Sequence, residues 1–91
     1  MARVGRHVRV IGLVQGVFFR AWTRDEARRL RVTGWVRNCS DDSVEAHLEA
    51  DKVAVCQLID RMREGPLGAR VDALAFEDAT VEQFTTFEVR T

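Results

Sequence analysis

Arg20 closes a stretch whose residue types and spacing suit the binding of an anion. The run Ile11-Gly-Leu-Val-Gln-Gly-Val-Phe-Phe-Arg20 begins as strand-like sequence, breaks at Gly12 and Gly16, and passes directly into a helical pattern. A tight glycine-containing loop between a strand and a helix exposes consecutive backbone N–H groups. The first helical turn leaves its own N–H groups without intrahelical partners. The positive end of the helix dipole adds to the attraction for a phosphate or carboxylate. Arg20 supplies a fixed charge and a planar fork of donors that can grip two phosphate oxygens at once. The stretch lacks the Gly-Lys-Ser/Thr ending of a Walker loop, so it is an anion cradle of another kind. On spacing alone a plainer reading stays open: a strand–turn–helix junction with a surface arginine.

Extended back to Val10 and followed by Gly34-Trp-Val-Arg-Asn38, this stretch resembles the two signatures of the acylphosphatase family. The resemblance runs from about Arg6 to Val89 and includes the connection Gly65-Pro-Leu-Gly-Ala-Arg-Val71. It implies hydrolysis of the carboxyl–phosphate bond of a small acyl phosphate, giving a carboxylate and inorganic phosphate. In the family, the loop matching Gln15, Gly16, Val17, Phe18 and Phe19 wraps the phosphate with backbone N–H groups. The arginine matching Arg20 binds that phosphate, and the asparagine matching Asn38 holds the attacking water. The substrate's own phosphate is implied to help take the water's proton.

Elementary chemistry supports each of these roles. Arg20 stays charged at any relevant pH and stabilises a phosphoryl group without acting as acid or base. Asn38 offers an acceptor and a two-hydrogen donor, enough to orient a water but not to deprotonate it. A mixed anhydride suits so spare a site, because its carboxylate leaving group needs no strong general acid and phosphoryl transfer needs mainly positioning. No cofactor or metal is expected, and inorganic phosphate or a similar anion should occupy the loop.

Competing chemistries lack their residues. A cysteine-dependent phosphatase needs an arginine six residues after its cysteine, where Cys39 has Glu45 and Cys56 has Met62. Cys39, next to Asn38, is expected near the pocket without an activating neighbour. Asp41 and Asp42 sit in a hairpin turn and read as solvated. Arg37 is expected on the opposite sheet face as a rim charge. His7 and His47, far apart in sequence, read as surface histidines. A non-catalytic or regulatory module that keeps the anion cradle is the alternative reading. Acylphosphatase-like domains also occur fused within larger hydrogenase-maturation proteins, but no zinc-finger extension follows here, so a free, monomeric enzyme is expected.

Composition narrows the classes further. Apolar residues make up 46% and charged residues 31%, typical of a globular chain. Fourteen acids balance fourteen bases, so no global field favours nucleic acid or an anionic membrane. The bases crowd the first third, from Arg3 to Arg31, which suits a locally positive site. No apolar run is long enough to span a membrane, and the opening residues lack the apolar stretch of a signal peptide. Free thiols at Cys39 and Cys56 fit a cytoplasmic protein. Residues 1–91 are expected to form a single domain.

The elements that must position Arg20 and Asn38 follow from periodicity. A strand is predicted over His7–Val14, and a helix over Arg20–Leu30 with Phe19, Thr23, Ala27 and Leu30 on one face and Arg24, Arg28 and Arg29 largely outside it. Trp22 flanks that stripe as a core residue. Thr33–Asn38 reads as a second strand, and Ser40–Ser43 as a turn. A third strand alternates Val44, Ala46 and Leu48 with Glu45, His47 and Glu49. Asp51 caps a second helix with Val55, Leu58, Ile59 and Met62 as its stripe, stopped by Gly65 and Pro66. The strand Arg70–Glu77 slips phase between Val71 and Leu74, which predicts a bulge. The last strand, Thr85–Arg90, is expected to turn Phe87 and Val89 inward.

The order β-α-β-β-α-β plus a final strand predicts an α+β, ferredoxin-like split βαβ fold, an antiparallel sheet with both helices on one face. RNA-binding modules share that order, but the strand Ser43–Glu49 has no aromatic residue for base stacking. Phe18 and Phe19 are expected to pack in the core, one of them shaping the pocket floor through its N–H. Three positions where the family often has glycine hold Arg31, Asp42 and Ala50, so those turns either keep a left-handed residue at a cost or change type.

Overall fold

The computed structural model describes residues 2–91. Valine alternation builds the first strand, β1 (Val4–Leu13), which buries Val8 and Val10 completely. The chain continues through α1 (Phe19–Leu30), β2 (Thr33–Asn38), β3 (Val44–Ala50), α2 (Lys52–Glu64), β4 (Arg70–Ala79) and β5 (Phe87–Arg90). The sheet order is β4-β1-β3-β2-β5. Both helices lie on one face, where Phe19 and Ala27 of α1 and Val55, Leu58, Ile59 and Met62 of α2 meet Val36, Ala46 and Leu48 of the strands. Asp51 caps α2 as expected, its carboxylate accepting from the Ala54 N–H at 2.9 Å.

The structure corrects several expectations. Gly12 does not break β1. Ile11 pairs with Ala73 and Gly12 with Val71, so Asp72 is the extra residue of a bulge on β4, inside the interval where the phase slips. Gly12 has φ 141°, and a Cβ there would meet Arg70 O at 2.1 Å, so only glycine allows this approach. The sheet is mixed rather than antiparallel throughout, because β5 runs parallel to β2 at the edge opposite β4. Thr80–Thr86 carries the chain between those two edges, and β5 starts at Phe87 rather than Thr85.

The second face of β3 is the largest correction. Glu45, His47 and Glu49 are all buried, although His47 was expected at the surface. The Thr80–Thr86 connection crosses this face, and Glu49 accepts hydrogen bonds from the N–H groups of Glu82 and Phe84. Gln83, between them at φ 64°, turns both N–H groups toward the one carboxylate. His47 Nε2 faces the same carboxylate at 2.6 Å and its ring stacks on Trp35. Glu45 accepts from Arg37 and lies 2.8 Å from His7 Nε2. Alternation assigned these residues to the correct face, but adjoining side chains and a crossing segment cover that face.

Candidate active site

Three strand ends and the start of α1 meet at one end of the sheet. β1 and β2 both run antiparallel to β3, and β5 runs parallel to β2, so all three point the same way. Between β1 and α1, residues Gln15 to Phe18 form bends without hydrogen-bonded turns. Among the described residues, the N–H groups of Gly16, Val17 and Phe18 make no hydrogen bond. Gly16 at φ 74° and Phe18 at φ 62° adopt left-handed conformations that fold this short loop back onto the helix. The loop thus presents free donors at the positive end of α1.

Gln15, Gly16, Phe18, Phe19, Arg20 and Asn38 line one cleft of about 370 Å³. Val17 is the exception among the expected residues. It packs against the core cluster, so only its backbone is available to the loop. Phe19 is buried, but Phe18 is 85% exposed at the cleft, contrary to the expectation of core packing. The left-handed conformation at Phe18 turns its ring out of the path of Phe19.

Each polar side chain here has a definable state. The Gln15 amide nitrogen donates to the carbonyls of Cys39 and Ser43, at 2.9 Å each. That bond pair ties the loop to the β2–β3 hairpin. Cys39 takes part only through this carbonyl and does not line the cleft. Arg20, the second residue of α1, donates from Nη1 to the Arg90 carbonyl at 3.2 Å. The rest of its guanidinium remains for a ligand. Asn38 ends β2, and its Oδ1 is buried without a hydrogen-bond partner among the described residues. A buried acceptor left unpaired costs roughly 1–3 kcal/mol, so Asn38 Oδ1 is an acceptor that a donor in the cleft would suit. The other such atom, Thr23 Oγ1, is on the core face of α1 and outside the cleft.

No acidic side chain lines the cleft, whereas Arg20 and Arg24 both do. The sequence placed Arg24 outside the core stripe, which is correct, but the cleft lies on that side of the helix. Val89 lines it too and is 38% exposed, not inward as expected. Two other bases of the first third are engaged elsewhere: Arg9 with Asp41 and Glu45, Arg6 with Asp78. Among the described residues no three His, Cys, Asp or Glu side chains form a metal-ligand group.

A sequence model of the acylphosphatase family matches residues 6–89, which is nearly the entire chain. The chain belongs to the acylphosphatase family. It is 47% identical over 88 residues to an acylphosphatase of Alcanivorax borkumensis, covering 92% of this chain and 96% of that one. With an acylphosphatase of Gloeobacter violaceus the identity is 50% over 86 residues, 94% and 92% of the two chains. The structure of an acylphosphatase from Coxiella burnetii superposes with a TM-score of 0.93 at 39% identity, covering 97% of this chain and 93% of that chain. The acylphosphatase fold therefore accounts for the mixed sheet and paired helices, and within it the cleft gathers the cradle loop, Arg20 and Asn38.

Proposed function

We propose that this protein hydrolyses acyl phosphates, with the phosphoryl group held by Arg20 and the loop N–H groups and attacked by a water that Asn38 orients. The loop donors and the free part of the Arg20 fork surround the non-bridging oxygens. They gain strength as charge builds there. The water hydrogen-bonds to Asn38 Oδ1, which directs its oxygen lone pair at phosphorus. A P–O bond forms to the water, the P–O bond to the acyl group breaks, and the carboxylate departs with the electron pair. Asn38 is too weak a base to take the water's proton, so the phosphoryl oxygens are its nearest basic acceptors. Gln15 acts from behind, holding the loop that carries the phosphate against the hairpin that carries Asn38.

The observation that supports this reading is the buried, unpartnered Asn38 Oδ1 in the same cleft as Arg20. Its test is Asn38→Ala beside Arg20→Gln, each assayed for acetyl phosphate turnover and inorganic phosphate affinity. Asn38→Ala is expected to lower turnover by about a hundredfold or more while phosphate still binds. Arg20→Gln is expected to lose both. Preserved turnover in Asn38→Ala, with only a lowered denaturation midpoint, would reduce Asn38 to a hairpin residue, whereas wild-type protein that binds phosphate without turning over acetyl phosphate would favour a non-catalytic anion module.

A further inference from the structure

Arg24 follows Arg20 on α1 and lines the same cleft, yet the hydrolysis described above leaves it without a role. Residues four apart on a helix share a face, with roughly 6 Å between their Cβ atoms. Arg24 commits only Nε, to Asp25 Oδ1 at 3.1 Å in a largely exposed pair. Its terminal nitrogens have no protein partner among the described residues. The cleft thus holds a second cation, whose one carboxylate partner, Asp25, lies outside the lining and leaves the terminal nitrogens open.

Charge matching gives that cation a ligand. The transferring phosphoryl group is already met by Arg20 and by the loop donors at the start of the helix. Arg24 lies a full turn further along, away from those N–H groups. Apolar Phe18, Ala21 and Val89 line the cleft around the two arginines. A short hydrocarbon chain against that wall would carry a terminal anion away from phosphorus and toward Arg24. Building on the acyl phosphate reading, we infer that Arg24 is a specificity residue that selects acyl groups bearing a second anion, such as the mono-acyl phosphates of dicarboxylic acids.

The test compares kcat/KM for succinyl phosphate with that for acetyl phosphate, two substrates with the same reacting bond. The ratio is expected to fall about tenfold in Arg24→Gln, the scale of one charge-assisted contact, and to be partly restored in Arg24→Lys. Arg29→Gln, on the same helix but outside the cleft, serves as the control and should keep the wild-type ratio. An unchanged ratio in Arg24→Gln overturns the inference. If both substrates decline together, Arg24 grips the transferring phosphate instead. An equal drop in Arg29→Gln would also overturn it, leaving only general surface charge. Wild-type protein inactive on both substrates would sink the acyl phosphate reading as well, whereas brisk acetyl phosphate hydrolysis with an insensitive ratio sinks this inference alone.

Discussion

Individual residues carry both the chemistry and some visible strain. Arg31 ends α1 at φ 60° and ψ 38°, with its N–H bonded to Arg28 O and the Val32 N–H to Ala27 O. That is the paired arrangement of a Schellman cap, normally completed by glycine. A non-glycine residue pays for the left-handed conformation, whereas glycine adopts it freely. Arg31 is exposed and makes no side-chain bond among the described residues that would offset the strain. Arg31→Gly should therefore raise stability by about 1 kcal/mol, read as a higher denaturation midpoint with unchanged slope. Asp42, at φ 71°, should gain less from the same change, because aspartate tolerates that region better. Ala50 behaves oppositely. It sits in β3 without positive φ and is buried, so Ala50→Gly should cost stability. The sequence could flag all three substitutions, but only backbone dihedrals separate the two retained turns from the rebuilt one.

Elements were legible where one face meets the core and the other meets water. The α2 stripe of Val55, Leu58, Ile59 and Met62 is buried as its period required, and β2 has the predicted limits. Period reading gave the two faces of β3 but not the burial of Glu45, His47 and Glu49, which are covered by partners distant in sequence. Val89 failed differently. Its strand lies at the sheet edge, and Val89 faces the cleft between that edge and the start of α1. That the loop, Arg20 and Asn38 share one cleft was legible because a resemblance pointed to them together, whereas Arg24 needed the fold to show which side of α1 the cleft occupies. Gln15 shows the same limit, since its side chain joins two elements instead of facing the anion. Two neutral hydrogen bonds of about 1 kcal/mol each hold the loop to the hairpin. Gln15→Glu preserves the shape but replaces the donor with an acceptor facing two carbonyls, and it adds negative charge beside an anion site. Stability should fall by about 2 kcal/mol or more, and phosphate affinity should fall with it. Gln15→Ala should cost less in affinity, having removed the latch without adding the charge. Equal phosphate affinity in Gln15→Glu and wild type would show that loop and hairpin are positioned without this latch.

For the molecule as a whole, the covered carboxylates on the open sheet face predict how the fold fails in acid. Burial by itself pushes the Glu49 carboxyl up, but the Glu82 N–H, His47 and the Phe84 N–H outweigh it and hold the group below the usual glutamate range. Glu45 behaves alike, burial being outweighed by hydrogen bonds from His7 and Arg37 and by their charges. Arg3 at 3.8 Å from Glu49, and Glu82 at 3.8 Å from His47, complete the charged surroundings of the inner pair. A carboxyl depressed in the folded state binds protons less readily than in the unfolded chain. Its stabilisation is therefore complete above the unfolded value, about 4.3, and is lost as pH falls through the lower folded value. The net formal charge of zero near neutrality adds little global repulsion there, so the loss should begin only below about pH 4.3. Denaturation midpoints measured from pH 7 down to pH 3 should hold steady and then drop. Glu49→Gln should be less stable at pH 7, because an amide cannot match the charged acceptor that takes two N–H bonds. It should also lose less on acidification, since the titrating group is gone while Glu45 remains. Parallel curves for Glu49→Gln and wild type would show that acid sensitivity arises elsewhere. A flatter variant curve would tie it to the carboxylate that fastens the β4–β5 connection across the sheet.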